Sequence, residues 1–309
     1  MKLDALAKST LTGLSARLFL VGYLPTYAAA LFILVLIWAG APGDLRFARA
    51  WQISASLGLG ETVFIALGIV LVTVVLQPLQ LRLVRILEGE WPSWAARLGT
   101  AWQRRIRDRL ARAAELPPDN SADLEIQRAG RAGTLLATRF PTHHLRPTAL
   151  GNVLAAMEES AGAQYGWDAV VAWPRLYPSL DAPVRAIVDE QRNGLDAAVR
   201  LTVTAAAVAP VTAVLLMQSG WWLLLAAIPA FLSGLSYSAA FNAAMAYREA
   251  VHTAFDLHRF DLLDRLHLPL PADQAAERPA NEALCDMWRQ GVAPNLTYRH
   301  PRTDEDESG

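Results

Sequence analysis

Charged side chains leave three long gaps in this sequence. Residues 18–43, 62–81 and 201–247 contain no Asp, Glu, Lys or Arg, and the last gap is 47 residues long. At about 1.5 Å per helical residue, roughly 20 residues cross a bilayer core. The third gap therefore has room for two crossings and each earlier gap for one. The first expected helix covers residues 18–39, with Pro25 near its start and Ala41, Pro42 and Gly43 ending it. Residues 44–60 read as a link carrying Arg46, Arg49 and Trp51. A second helix should start near Glu61 and run through Val75, its apolar periodicity passing Pro78 to Leu87. The third covers residues 201–217, with Pro210 inside. Gln218, Ser219 and Gly220 then form a turn. The fourth runs from Trp221 and Trp222, an aromatic pair suited to a membrane interface, to about Tyr247.

Between the second and third gaps the pattern changes to amphipathic helix. Trp91, Trp94, Leu98, Trp102, Ile106 and Leu110 recur at spacings of three and four, behind Pro92 and Ser93 at a helix start. Ser121 can cap a helix running to about Thr138, and Thr148 another through Val153, Leu154 and Met157. Tyr165 and Gly166 form a break. The apolar run at residues 169–173, bounded by Pro174, fits either a strand or a buried turn of helix. Asp181 with Pro183 opens a helix that continues toward the third crossing, and the fourth helix continues past the membrane through Leu266.

The expectation is an all-α membrane protein with four transmembrane helices, two plus two, and a helical cytoplasmic domain. Its parts are a lead at residues 1–17, helices one and two at 18–82, an insert at 83–196, helices three and four at 197–247, a helical tail at 248–302 and an acidic, disordered end at 303–309. The polar lead followed by a full-length apolar run reads as a retained anchor; secretory signals have apolar cores of about 7–15 residues. Arginines crowd the segment after the second helix, from Arg82 to Arg112, whereas the first link has two and the second none. Both termini and the insert should then face the cytoplasm, which places the chain in a bacterial inner membrane.

Composition narrows the partners. A formal net charge of −1 predicts no nucleic-acid partner. One cysteine, Cys285, excludes a disulfide within the chain and a thiolate zinc site. Lys2 and Lys8 are the only lysines, so the basic residues are almost all arginine. No cofactor or metal is called for. The expected partners are the lipid bilayer, a further copy of the chain, and a cytoplasmic protein or small ligand.

Three sets of residues carry candidate function. Ala226, Ala230, Gly234, Ser238, Asn242 and Ala246, each four apart, form a small-residue ladder on one helix face, suited either to packing within the chain or to an oligomer contact or pore lining. Arg139, Thr142, His143, His144, Arg146 and Thr148 gather before a helix start, where cations and helix amides can hold an anion; the alternative is a solvated loop that caps its helix. Trp91, Trp94, Trp102, Trp221 and Trp222 are candidate membrane-interface residues. For the first three, the alternative is packing into the insert's core. His252 and Asp256, four apart, would share a metal only with a third ligand, and none is evident. Asp256, Arg259, Asp261, Asp264 and Arg265 suit salt bridges along one helix. Glu61 is the one ionisable group near a crossing, and it sits at an edge, which argues against proton coupling. No nucleophile elbow, P-loop, zinc-protease helix or dinucleotide fingerprint occurs.

Residues 146–153 (RPTALGNV) and 165–178 (YGWDAVVAWPRLYP) resemble segments of uncharacterised actinobacterial multi-pass membrane proteins. That resemblance implies no activity. The two-plus-two layout, and no motif, resembles that of bestrophin channels. The leading expectation is a homo-oligomeric channel-like or membrane-perturbing protein with a cytoplasmic sensing or partner-binding domain. The alternatives are a non-conducting scaffold or subunit, and an enzyme acting on a phosphate-bearing substrate through the Arg139–Thr148 cluster.

Overall fold

The computed structural model describes residues 24–115, 122–292 and 295–299, with the side chains of 76–81 outside that description. Among the described residues the chain is helical, without strands. Ten α-helices can be numbered there: α1 Leu24–Ala39, α2 Phe47–Ser56, α3 Leu59–Glu88, α4 Ser93–Ala114, α5 Asp123–Arg139, α6 Ala149–Ser160, α7 Ala169–Leu176, α8 Ala182–Leu215, α9 Ala227–Arg265 and α10 Gln274–Gln290. They fall into two compact units, residues 1–90 with 193–243 and residues 91–192 with 244–309.

Among the described residues two stretches are long and apolar enough to cross a membrane, α8 and the run Gly220–Arg265. A third is added when α2 and residues 59–75, which meet at a bend of 114°, count as one broken span. α1 has 16 described residues, short of a full crossing, and the expected start of that helix lies outside the described residues. The expected count of four is therefore not reached among them.

In the first unit, residues 47–56 form a helix where the sequence suggested a link. Arg46, Arg49 and Gln52 obscured its pattern, yet Ala50 is buried beside Leu36, Ala39, Leu45 and Leu216. The turn after α8 is tied to the turn after α1: Ser219 Oγ donates to the carbonyl of Gly43 at 2.8 Å and lies 3.3 Å from that of Pro42. The two hairpin turns thus share one end of the unit. Glu61 caps α3 by accepting the Gly58 N–H at 3.0 Å. Between α8 and α9, Ser233 Oγ donates to the Thr202 carbonyl at 3.2 Å, while Thr202 and Ser236 are buried.

The second unit is built around Phe255, which α9 presents fully buried against Trp167, Leu176, Val188 and Leu284. Residues 169–176 are helix, not strand, and Pro174 lies inside α7 and does not end it. Asp168 caps α7, Thr148 caps α6 and Asp273 caps α10, each accepting a first-turn amide. α5 starts at Asp123 with no side-chain cap; Ser121 lies outside the described residues. The inner face of α4 is small and polar at Gly99 and Gln103, with Ile106 and Leu110 half-buried beyond them. A Cβ on Gly99 would stand 2.6 Å from Pro147 Cβ and 2.8 Å from its carbonyl oxygen. Gln103 is buried and accepts from Asn152 Nδ2 at 3.3 Å.

These contacts set opposite signs for two glycine substitutions. Gly99→Ala should destabilise by about 1–3 kcal/mol, because backbone and ring atoms of Pro147 must move. Gly194→Ala, with nothing within 4 Å of the added carbon, should stabilise α8 by up to about 1 kcal/mol. Thermal unfolding in detergent measures both; a stabilising Gly99→Ala would contradict the packing of α4.

Candidate functional site

The Arg139–Thr148 cluster runs from the last residue of α5 to the cap of α6, and the structure places an acid among its cations. The backbone N–H of Thr142 donates to Glu159 Oε2 at 2.5 Å, and that of His143 lies 3.4 Å from Oε1. Asn152, fully buried on α6, grips the same segment. Its Oδ1 accepts the Arg146 N–H at 2.7 Å and its Nδ2 donates to the Arg146 carbonyl at 3.0 Å. Thr148 Oγ1 accepts the Gly151 N–H at 3.0 Å, which caps the start of α6. The amides expected to receive an anion are thus held by side chains of α6. His143, His144 and Arg146 face solvent, Arg139 is half-buried, and Thr142 is exposed. Chemically this is a capped loop carrying exposed cations.

The ladder on α9 divides the helix into two faces. Ala230, Gly234, Ser238, Asn242 and Ala246 are exposed, and Ala226 is half-buried in the short 3-10 segment ahead of the helix. The covered positions are Pro229, Ser236, Ala240 and Ala244, which are also small. A Cβ on Gly234 would meet nothing within 4 Å. Ser238 Oγ donates back to the Gly234 carbonyl at 3.2 Å.

The interface tryptophans are also resolved into positions. Trp94 and Trp102 are exposed on α4, and Trp91 is half-buried before it. Trp221 stacks on Trp222 with ring centroids 3.9 Å apart, and Phe47 meets Trp222 edge-on at 5.2 Å.

Other expected pairings are redirected. His252 Nε2 lies 3.0 Å from Ser160 Oγ, and Asp256 accepts from Tyr165 Oη at 2.9 Å and Gln164 Nε2 at 3.1 Å, so neither faces a shared metal. No group of three or more His, Cys, Asp or Glu among the described residues could hold a metal ion. Arg259 donates to the Asp256 carbonyl on α9, but its ion pair lies elsewhere. It pairs with buried Glu277 of α10 at 2.8 Å and lies over the Tyr165 and Phe260 rings, 4.0 and 4.3 Å from their centroids. His258 pairs with Asp261 at 2.6 Å.

Sequence reading missed the Ser160–His252 pair, because its members are 92 residues apart. Its geometry does not prepare a nucleophile. Ser160 donates its hydroxyl proton to the Ala156 carbonyl at 2.6 Å, leaving its oxygen to accept from the imidazole. An activated serine needs the reverse. Cys285 lines a cavity of about 530 Å³ with Trp167, Asp168, Glu282, Asp286 and Arg289. Within it, Asp168 is paired with Arg289 as well as capping α7.

No family model matches the chain, and no curated protein or solved structure matches it.

Burial, with Asp286 adding, pushes the Cys285 thiol up to about 11. Thiolate is the reactive form, so the folded protein should alkylate slowly with iodoacetamide near pH 8 and rapidly once denatured. Fast labelling of the native protein, followed by intact mass, would contradict the burial of this side chain.

Proposed function

We propose that the chain is a four-crossing inner-membrane protein that self-associates through the exposed face of α9 and forms a channel-like assembly, with both termini and the second unit cytoplasmic. The observation that carries this reading is the outward position of the ladder on a helix apolar enough to span a bilayer. Small residues allow a second helix backbone to approach closely. Asn242 sharpens the argument. An amide facing hydrocarbon without a partner costs about 1–3 kcal/mol, a cost removed by a neighbouring copy or by water in a pore. The shared end of the two hairpin turns, tied by Ser219, supports a two-plus-two layout with both turns on one side of the membrane. Arginine-rich residues 82–112 then lie on the opposite, cytoplasmic side.

A non-conducting scaffold is the second reading, and it needs the same contact without a pore. The enzyme reading has less support, since Glu159 already occupies the loop amides that would receive a phosphate.

Native mass measurement in detergent tests the assembly. The parent protein should be oligomeric. Gly234→Leu, whose added Cβ has nothing within 4 Å, should be monomeric with an unchanged melting temperature. A monomeric parent would sink the reading. Planar-bilayer recordings then divide channel from scaffold: currents abolished by Gly234→Leu support conduction, and silence across salts removes it.

A further inference from the structure

The outer face of α4 is apolar at its start and basic at its end. Trp94, Leu98 and Trp102 are 71%, 70% and 62% exposed. At 100° per residue they share an arc of about 80° with Arg105, Arg109 and Arg112, all exposed as well. The helix carries six arginines against one acid, Asp108, which is paired with Arg107. This face is outward because the opposite one is fixed. Gly99 abuts Pro147, Gln103 is bonded to Asn152, and α5 packs alongside. Rotating α4 to bury the tryptophans would break those contacts. Packing of Trp94 and Trp102 into the core, one of the two expectations for them, does not occur.

We infer that this face docks on the anionic phospholipid surface of a bilayer, with Trp94, Leu98 and Trp102 entering the headgroup region and Arg105, Arg109 and Arg112 meeting lipid phosphates. Two observations select a membrane as the occupant. The charge is strongly of one sign and complements anionic headgroups. The chain also reaches α4 only four residues, 89–92, after α3 ends at Glu88. The inference thus rests in part on the proposed function, in which α3 leaves the membrane at its basic end. Each arginine near an anionic surface favours docking about fivefold, equivalent to about 1 kcal/mol.

The test uses the full chain in nanodiscs with brominated acyl chains, which quench a nearby fluorophore. One set is phosphatidylcholine alone and the other contains phosphatidylglycerol. An environment-sensitive probe is placed on Leu98→Cys, with a second on Leu235→Cys of α9 as reference. The probe at 98 should be quenched strongly in the anionic discs and weakly in the neutral ones. Arg105→Gln with Arg109→Gln should weaken docking on the order of 25-fold and bring quenching down toward the neutral level. Equal quenching in both lipids, or no response to the arginine changes, would overturn the anionic surface as the partner. An unquenched probe at 98 beside a quenched one at 235 would overturn docking and leave this face to a protein partner. Quenching at 98 without quenching at 235 would keep the inference and overturn the four-crossing reading. No quenching at either position would overturn both.

Discussion

One buried amide organises the second unit. Asn152 has no exposed surface, and its side chain bonds to both backbone groups of Arg146 and to Gln103. Those bonds join α4, α6 and the segment ahead of α6. A buried amide that lost them would cost more than the bonds themselves contribute, since each orphaned partner costs about 1–3 kcal/mol. Thr148 and Glu159 act on the same segment from either side, one capping α6 and the other receiving the amides of Thr142 and His143. The exposure of the α4 tryptophans and the occupation of the expected anion site both follow from this arrangement of polar contacts.

The first unit meets its polar obligations differently. Its helices are poor in charge but contain hydroxyls, and three of these turn back on their own backbone. Thr73 Oγ1 donates to the Ile69 carbonyl, Thr202 Oγ1 to Ala198 and Ser238 Oγ to Gly234, at 2.8, 2.8 and 3.2 Å. In an apolar solvent such bonds let serine and threonine sit on a helix without an external partner. Ser219 and Ser233 instead reach other segments: Ser219 links the two hairpin turns, and Ser233 joins α9 to α8.

Much of the helical order was legible because charge and apolar period are read directly from residues. The uncharged stretch at residues 201–247 holds the end of α8, the turn at Ser219 and the start of α9, and the caps at Thr148 and Asp181 fall where expected. What the sequence left open was the assignment of faces. On α9 the residues at 236, 240 and 244 are as small as the ladder, so a four-residue spacing could not say which row is covered. On α4 Gly99 and Gln103 face inward beside half-buried Ile106 and Leu110, whereas the larger Trp94 and Trp102 point out with Leu98, against a hydrophobic-inside rule. The cation cluster was visible as side chains, but Glu159, which takes its amides, stands 17 residues beyond Thr142. Loop amides are not written in side-chain type, so their occupation could not be read.

Because Lys2 and Lys8 are the only lysines, every cation on α4 is a guanidinium. Guanidinium groups keep their proton throughout the biological pH range. They also offer no amine to lysine acetyltransferases or to amine-directed crosslinkers. The positive field of this helix therefore lies beyond the reach of lysine modification, while ionic strength sets how strongly it is felt.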